Sequence, residues 1–115
     1  MTAPAPARGE VWLADLNPTR GREQAGRRPV LVISEDLFNE GPAALVIVLP
    51  MTSTLRPVPS HIRINAPEGG VKHATAILCE ALRSVSRDRL VQRWGTVGRG
   101  TLAQVEDCLR ILMRL

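Results

Sequence analysis

The chain has 115 residues, the size of one domain with a single small core. It carries 15 Lys and Arg residues against 11 acidic ones, for a formal net charge of +4, and only one of the basic residues is a lysine. Because arginine favours bidentate contacts, this bias points to a phosphate-bearing ligand or an acidic protein partner, with a merely solvated basic surface as an equal alternative. Two tryptophans, one phenylalanine and no tyrosine argue against an aromatic base-stacking platform.

The cysteines and the first residues indicate a cytoplasmic protein. Cys79 and Cys108 lie in apolar patterns without CxxC spacing, which favours buried free thiols over a disulfide or a metal site. Residues 1–9 lack the apolar centre of a secretion signal, and the longest apolar run, 43–49, is too short to span a bilayer. We therefore expect no membrane partner.

The first third of the chain predicts a leader, two strands and a basic loop between them. Residues 1–7, with prolines at two positions, predict a disordered leader, so that a single domain spans 8–115. Alternation predicts a strand over 10–16, and a β-branched run predicts a second over 29–34. Pro29 disfavours the helical region for the preceding residue, so Arg28 should be held extended at the mouth of this strand.

The strongest strand is predicted over residues 44–49, which are apolar throughout and therefore suit the centre of a sheet. We expect this strand to stop at Pro50, so that the hydroxyl groups of Thr52 and Ser53 cluster at its end. An extended, proline-containing loop that carries Arg56 follows.

Further strands are predicted at residues 61–65, as an edge strand with its isoleucines inward, and at 75–82 and 91–97, with a turn over 84–90. Glu80 is the single charge in the strand over 75–82.

A helix is predicted for residues 101–115. Thr101 and Gln104 form a capping-box pattern, and apolar residues recur with helical spacing at Leu102, Val105, Leu109 and Leu112. Together these elements predict a mainly β fold, a small and partly open barrel of about six strands covered by a C-terminal α-helix.

The two histidines do not predict a metal site. His61 and His73 stand twelve residues apart, without an acidic cluster on a shared face. We expect both to be surface residues, and we expect no metal and no cofactor. The sequence also lacks a GxxxxGK[ST] phosphate loop and a GxSxG nucleophile motif.

Arginines, hydroxyls and one carboxylate remain, and they suit metal-free cleavage of RNA, whose 2′-hydroxyl lies beside the phosphate it can attack. Arg28 would supply charge and donors, and Thr52 and Ser53 aligned hydroxyls. Glu80 is the candidate base, because a lone carboxylate in an apolar strand is expected to have a raised pKa.

Structural roles remain open for each of these residues. Arg28 could instead pair with Glu23 or Asp36, and Thr52 could simply bond the backbone at a strand end. For Glu80, an ion pair with Arg83 or Arg28 is an equal alternative.

These residues together resemble the MazF/PemK family of toxin–antitoxin ribonucleases. The likeness runs from residue 8 to the C-terminus, through V-L-P-M-T-S at 48–53 and L-C-E-A-L-R-S-V at 78–85, and is most specific in E-Q-A-G-R-R-P-V-L-V at 23–32. The resemblance implies an SH3-like barrel, a homodimer, and metal-independent, sequence-specific cleavage of single-stranded mRNA to 2′,3′-cyclic phosphate and 5′-hydroxyl ends. We also predict that an acidic, partly disordered antitoxin segment occupies the groove of the arginine loop, because arginines are in excess at positions 20, 22, 27, 28 and 56. The protein would contact DNA only through this antitoxin.

The resemblance also implies residue roles. Arg28 and Thr52 match the family's catalytic arginine and threonine, and Glu80 matches the acidic residue that some members use as base. The family's loop Glu and Gln, which line the RNA site, correspond to Glu23 and Gln24. The further candidates for RNA binding in this chain are Arg20, Arg22, Arg27, Ser53, Arg56 and Arg83. Because arginine stays protonated in proteins, Arg28 suits a charge stabiliser or a water-assisted proton donor better than a base.

Three positions depart from the family pattern: Arg22 replaces a frequent histidine, Leu78 a basic residue, and Ala81 a common glutamine. The division of acid and base roles therefore stays open.

Two other classes of function share these features. A toxin resembling the CcdB family has the same fold and binds DNA gyrase, but it uses a Trp-Gly-aliphatic chain end, whereas Trp94-Gly95 is internal here. The third class is a non-catalytic nucleic-acid-binding module.

Overall fold

The computed structural model describes residues 5–16 and 26–115, which form seven strands and two α-helices. The strands are β1 (Glu10–Asp15), β2 (Arg27–Val32), β3 (Leu45–Thr52), β4 (His61–Ile64), β5 (Thr75–Leu78), β6 (Arg83–Ser86) and β7 (Leu90–Thr96). The helices are α1 (Asp36–Asn39) and α2 (Arg99–Met113), and short 3-10 turns lie at Glu68–Gly70, Cys79–Ala81 and Arg87–Arg89.

The strands form one antiparallel sheet in the order β4-β5-β3-β2-β1-β7, with β6 also paired to β3. The mainly β class with a C-terminal helix is confirmed, as are the central position of β3 and the edge position of β4. The strand count was too low, because the segment 84–90, predicted as a turn, contributes to β6. Val85 of β6 is buried, but a strand of four residues is too short for its sequence to show the alternation of apolar and polar residues.

The prediction that β3 ends before Pro50 was wrong. The strand continues to Thr52 because its neighbours change along its length. Pro50 still pairs with Val30 of β2, and Met51 and Thr52 pair with β5 on the other edge.

Apolar side chains cover both faces of β3, as its sequence predicts. One cluster contains Leu49 and Met51 and lies under α2. The other contains Val46 and Val48, with Val30 of β2. Each of these side chains is fully buried, so β3 is held from both sides and gives a rigid base for whatever lies at its end.

Helix α2 begins two residues earlier than predicted, and its predicted capping box is absent. Gly98 is the N-cap, and the carboxylate of Glu68, from a distant turn, accepts hydrogen bonds from the Gly98 backbone N–H (2.9 Å) and from the Thr101 hydroxyl. A carboxylate is well placed there because a helix N-terminus carries partial positive charge. Val105 is buried in the first apolar cluster, so α2 does cover the sheet.

The packed part of the chain reaches back into the predicted leader. Pro6 is buried, and its carbonyl oxygen accepts a 3.0 Å hydrogen bond from the side-chain amide of the fully buried Asn39. Pro6, within the segment predicted as a leader, therefore contacts the core through Asn39. Within residues 5–16 and 26–115, neither helix has the length and apolar character that a bilayer crossing requires.

Candidate active site

A cleft of about 340 Å³ lies at the C-terminal end of β3. It is lined by two guanidinium groups, two threonine hydroxyls, an imidazole, a carboxylate and one leucine, from Arg28, Arg56, Thr52, Thr54, His61, Glu80 and Leu78. Four predicted site residues, Arg28, Thr52, Arg56 and Glu80, thus share one cleft.

Strand pairing brings Arg28 and Thr52 together. The antiparallel register pairs Val32 with Val48 and Val30 with Pro50. This pairing ends at Val30 and Pro50, and Arg28 and Thr52 follow two residues beyond that last pair, each on the same face of its strand as the paired residue. Both side chains line the cleft. The hydroxyl of Thr52 also accepts a 3.1 Å hydrogen bond from the backbone N–H of Thr54, which closes the turn at the strand end.

Glu80 reaches the cleft from an interruption in the pairing of β3. Val48 pairs with Arg83 of β6, whereas Met51 pairs with Ile77 of β5. Between these two pairs β3 advances by three residues, but the partner chain spans six. Three residues are therefore extra on that side, and they are accommodated by the 3-10 turn Cys79–Ala81. The prediction of one continuous strand over 75–82 was wrong for this reason.

The predicted raised pKa of Glu80 was also wrong. Its side chain is 43% exposed rather than enclosed in an apolar strand. Burial raises the pKa of the carboxyl, but hydrogen bonds from the Ser60 hydroxyl, the Glu80 backbone N–H and His61 outweigh burial and hold that pKa below its ordinary value of 4.5. Glu80 is therefore ionised at neutral pH.

His61 was expected at the surface, yet its side chain is only 8% exposed and lines the cleft. Its Nε2 atom lies 2.9 Å from Glu80 Oε2 and donates to it, since a carboxylate only accepts. Ser60 Oγ donates to the other carboxylate oxygen at 2.6 Å. Each oxygen of Glu80 is thus oriented by one donor from the start of β4.

The signal for His61 was present but indirect. Ile62 and Ile64 do point inward as predicted, which turns His61 toward the outer face of an edge strand. Only the loop before β4 makes that face a cleft wall, since it bends back far enough for the Arg63 guanidinium to donate to the backbone oxygen of Arg56 at 3.4 Å.

The remaining predicted RNA-binding residues do not line this cleft or lie outside the described residues. Ser53 and Arg27 are exposed, and Arg83 lines a separate hollow of about 190 Å³ beside β6. The four loop positions, Arg20, Arg22, Glu23 and Gln24, lie outside residues 5–16 and 26–115.

The cleft combines features suited to a phosphodiester. Arg28 and Arg56 bring permanent positive charge to its walls, and the Thr52 hydroxyl can both donate and accept. Glu80 supplies an ionised, oriented proton acceptor. Among the described residues, no three His, Cys, Asp or Glu side chains are grouped so that they could hold a metal ion.

Comparison with known proteins identifies the family. A family model for the PemK-like, MazF-like toxin of type II toxin–antitoxin systems matches residues 7–113. Endoribonuclease EndoA of Bacillus subtilis (strain 168) is 34% identical over 109 residues, which cover 94% of each chain. Endoribonuclease MazF9 of Mycobacterium tuberculosis is 33% identical over 113 residues, or 94% of this chain and 96% of that one.

Solved structures agree with this match. The crystal structure of MazF from Deinococcus radiodurans has a TM-score of 0.85 at 28% identity, covering 96% of this chain and 98% of that one. A MazE–MazF crystal structure from the same organism has a TM-score of 0.81, again at 28% identity, covering 96% and 97%. The predicted resemblance is confirmed, and the chain belongs to the PemK-like, MazF-like toxin family of type II toxin–antitoxin systems.

Proposed function

We propose that this protein is an endoribonuclease that cleaves single-stranded RNA at short sequence motifs and without a metal ion, leaving 2′,3′-cyclic phosphate and 5′-hydroxyl ends. The observation that carries the proposal is that Arg28 and Thr52 line the same cleft as an ionised Glu80. The family match favours this function over a CcdB-like gyrase inhibitor, and the names of EndoA and MazF9 support nuclease activity.

Each group in the cleft has a chemical task in this reaction. Attack by the 2′-oxygen builds a phosphorane with extra negative charge, and the Arg28 guanidinium stabilises that charge. The Thr52 hydroxyl donates to a phosphoryl oxygen and aligns the phosphate for attack. Glu80 accepts the 2′-hydroxyl proton, and the leaving 5′-oxygen takes a proton from water polarised by Arg28.

The lowered pKa of Glu80 affects its use as a base in two opposite ways. It keeps the carboxylate ionised and available at neutral pH, but it also makes that carboxylate a weaker proton acceptor. The alignment supplied by Ser60 and His61 therefore matters more than basicity, because an oriented base gains through geometry.

Adjacent arginines allow a matched test. Arg28 lines the cleft, whereas its neighbour Arg27 is exposed and does not line it. With a long single-stranded RNA in EDTA, we expect cleavage by the wild type and a loss of about 10²–10³-fold for Arg28→Ala, the usual effect of removing one donor to a developing oxyanion. Arg27→Ala carries the same loss of charge, and we expect it to retain most of the activity.

Two outcomes would contradict the proposal. One is cleavage that stops in EDTA and returns with Mg²⁺, which would assign the reaction to a metal. The other is equal activity of the two alanine variants while both remain folded by circular dichroism. Sequencing the 5′ ends of the fragments would identify the recognised motif.

The partners follow from the same surface. We propose that an acidic, partly disordered antitoxin segment occupies the cleft, since the guanidinium groups of Arg28 and Arg56 line it. We also propose a homodimer, supported by exposed apolar residues at the C-terminal end of the chain, where Ile111 is 77% and Leu115 82% exposed. Sedimentation of the protein alone at the mass of a monomer would contradict the homodimer. An affinity for the antitoxin that stays unchanged after reversal of the arginine charges would contradict antitoxin binding in the cleft.

A further inference from the structure

The two cysteines lie on α2 and on the 3-10 turn that carries Glu80, and these two elements pack against each other. Cys79 is buried in the apolar cluster under α2, and the half-buried Cys108 packs against that cluster. The backbone N–H of Cys79 and the thiol of Cys108 donate to the same carbonyl oxygen, that of Ser60, over 3.1 Å and 3.9 Å. The Cys108 thiol is also close enough to Cys79 to contribute to the raised pKa of the Cys79 thiol.

We propose that Cys79 and Cys108 form an oxidation site at which a hydroperoxide converts the two thiols into one intramolecular disulfide, and that this disulfide lowers the activity of the neighbouring cleft. The first half of the proposal stands on the geometry of the two thiols. The second half rests on the proposed ribonuclease function.

The surroundings of the two thiols set the order of events. Cys108 lines an apolar groove of about 530 Å³ between α2 and β4, which a small neutral oxidant such as hydrogen peroxide can enter. Burial raises the pKa of the Cys79 thiol to about 12, with a further contribution from its hydrogen bond to Cys108. Cys79 therefore stays protonated and reacts second.

The two steps balance. The Cys108 thiolate attacks one oxygen of the peroxide, the O–O bond breaks, and the other oxygen leaves as water once protonated, which gives a sulfenic acid. The Cys79 sulfur then attacks the Cys108 sulfur, the S–O bond breaks, and the Cys79 proton leaves with the hydroxyl as a second water. Two thiols are oxidised to one disulfide, and one peroxide is reduced to two waters.

A disulfide between Cys79 and Cys108 would change the geometry of the cleft. Its sulfurs must lie about 2 Å apart, closer than two thiols in contact, so forming the bond pulls α2 and the turn toward each other. Cys79 is the first residue of that turn and Glu80 the second. Ser60, which would lose the Cys108 thiol as a donor to its carbonyl oxygen, also orients Glu80 through its hydroxyl. A displacement of about 1 Å can cost on the order of 10²-fold in rate.

The test uses the full chain in the oligomeric state that it adopts in solution. Reduced wild type, Cys108→Ala and the double variant Cys79→Ala/Cys108→Ala are treated with increasing hydrogen peroxide. Free thiols are then counted in denaturant, and intact masses and cross-linked peptides are measured without reductant. We expect the wild type to lose both thiols together, to lose the mass of two hydrogen atoms, and to yield one peptide linked through Cys79 and Cys108.

Ribonuclease activity is measured on the same samples. We expect oxidation to lower wild-type activity by about tenfold or more and dithiothreitol to restore it, whereas the double variant keeps its activity through the same treatment. Because the double variant retains every methionine, it controls for methionine oxidation.

The outcomes separate the two proposals. Persistence of both thiols, oxygen addition to single cysteines, or cross-linking only between chains would overturn the oxidation site, whatever the nuclease activity. A disulfide that forms without changing activity would overturn the coupling to the cleft. Reduced protein that forms the disulfide but never cleaves RNA would reject the proposed function and leave the oxidation site standing.

Discussion

Replacing Thr52 with valine separates two roles that its hydroxyl group can play. Valine keeps the shape of the side chain and its preference for a strand, and it removes only the hydroxyl. In the structure that hydroxyl accepts a hydrogen bond from the Thr54 backbone N–H at 3.1 Å. In the proposed reaction it also donates to a phosphoryl oxygen of the RNA. The first role concerns folding and the second concerns rate.

The two roles predict effects of different size. Loss of one neutral hydrogen bond at an exposed turn costs about 0.5–1.5 kcal/mol of the free energy of unfolding, which leaves a typical domain folded. A hydrogen bond to a charged phosphoryl group contributes about 1.5–3 kcal/mol. At about 1.4 kcal/mol for each factor of ten, we expect kcat/KM to fall by roughly 10- to 150-fold.

Urea unfolding and initial rates of cleavage of a fluorescent RNA measure the two effects separately. Ser53→Ala is the matched control, because it also removes one hydroxyl but from an exposed side chain outside the cleft. We expect Ser53→Ala to change stability by less than about 0.5 kcal/mol and activity by less than about twofold. If Thr52→Val lost stability as expected but cleaved RNA as fast as Ser53→Ala, the hydroxyl would be structural and its catalytic role would be refuted.

Two further predictions concern the glycines and the pH dependence of stability. Gly70 has a φ of +79°, and a Cβ there would lie 2.3 Å from the Trp94 carbonyl oxygen, so Gly70→Ala should lower the free energy of unfolding by about 2 kcal/mol or more. Gly100→Ala, in α2 with open space around it, should raise it by about 0.5–1 kcal/mol, and equal urea midpoints would contradict both expectations. Because the pKa of folded Glu80 is lowered, its carboxylate stabilises the fold above the ordinary value of 4.5 and loses this effect as pH falls through the folded value. The difference in unfolding free energy between wild type and Glu80→Gln should therefore be largest near neutral pH and shrink in acid, whereas a constant difference would show that Glu80 contributes nothing through its charge.

The proximity of Arg28 and Thr52 in one cleft was within reach of the sequence. Pro29 marks the start of the buried run in β2, and Pro50 marks the end of the apolar run in β3, so the two polar ends of neighbouring antiparallel strands had to meet. The prediction was wrong only about where β3 ends, which is Thr52 and not before Pro50. Proline reads as a terminator, but here β3 continues for two more residues on the edge that faces β5.

The environments of Glu80 and His61 were out of reach of a local pattern. The run T-A-I-L-C-E-A-L fits a buried strand at every position except Glu80. Part of it becomes a turn because β5 and β6 pair with successive parts of β3 and the residues between them are left over. This depends on how three strands are arranged and cannot be seen in one stretch of sequence. The burial of His61 likewise depends on the path of the loop before β4 and on a carboxylate that comes from elsewhere in the chain.

The same interruption explains why the site lies where it does. Val48 of β3 pairs with Arg83, and Met51 pairs with Ile77. The two residues between them, Leu49 and Pro50, pair with neither β5 nor β6. Because Pro50 has no backbone N–H, the absence of a paired strand at this point leaves one backbone donor fewer without a hydrogen bond. The departing segment is the turn that carries Glu80, and it leaves the sheet beside the strand end that carries Thr52. Irregular pairing next to a site re-aims a side chain without weakening the strands on either side. The carboxylate reaches the cleft because the pairing on one edge of β3 is interrupted, and the arginine and threonine come near each other because β2 and β3 pair up to Val30 and Pro50 on the other edge.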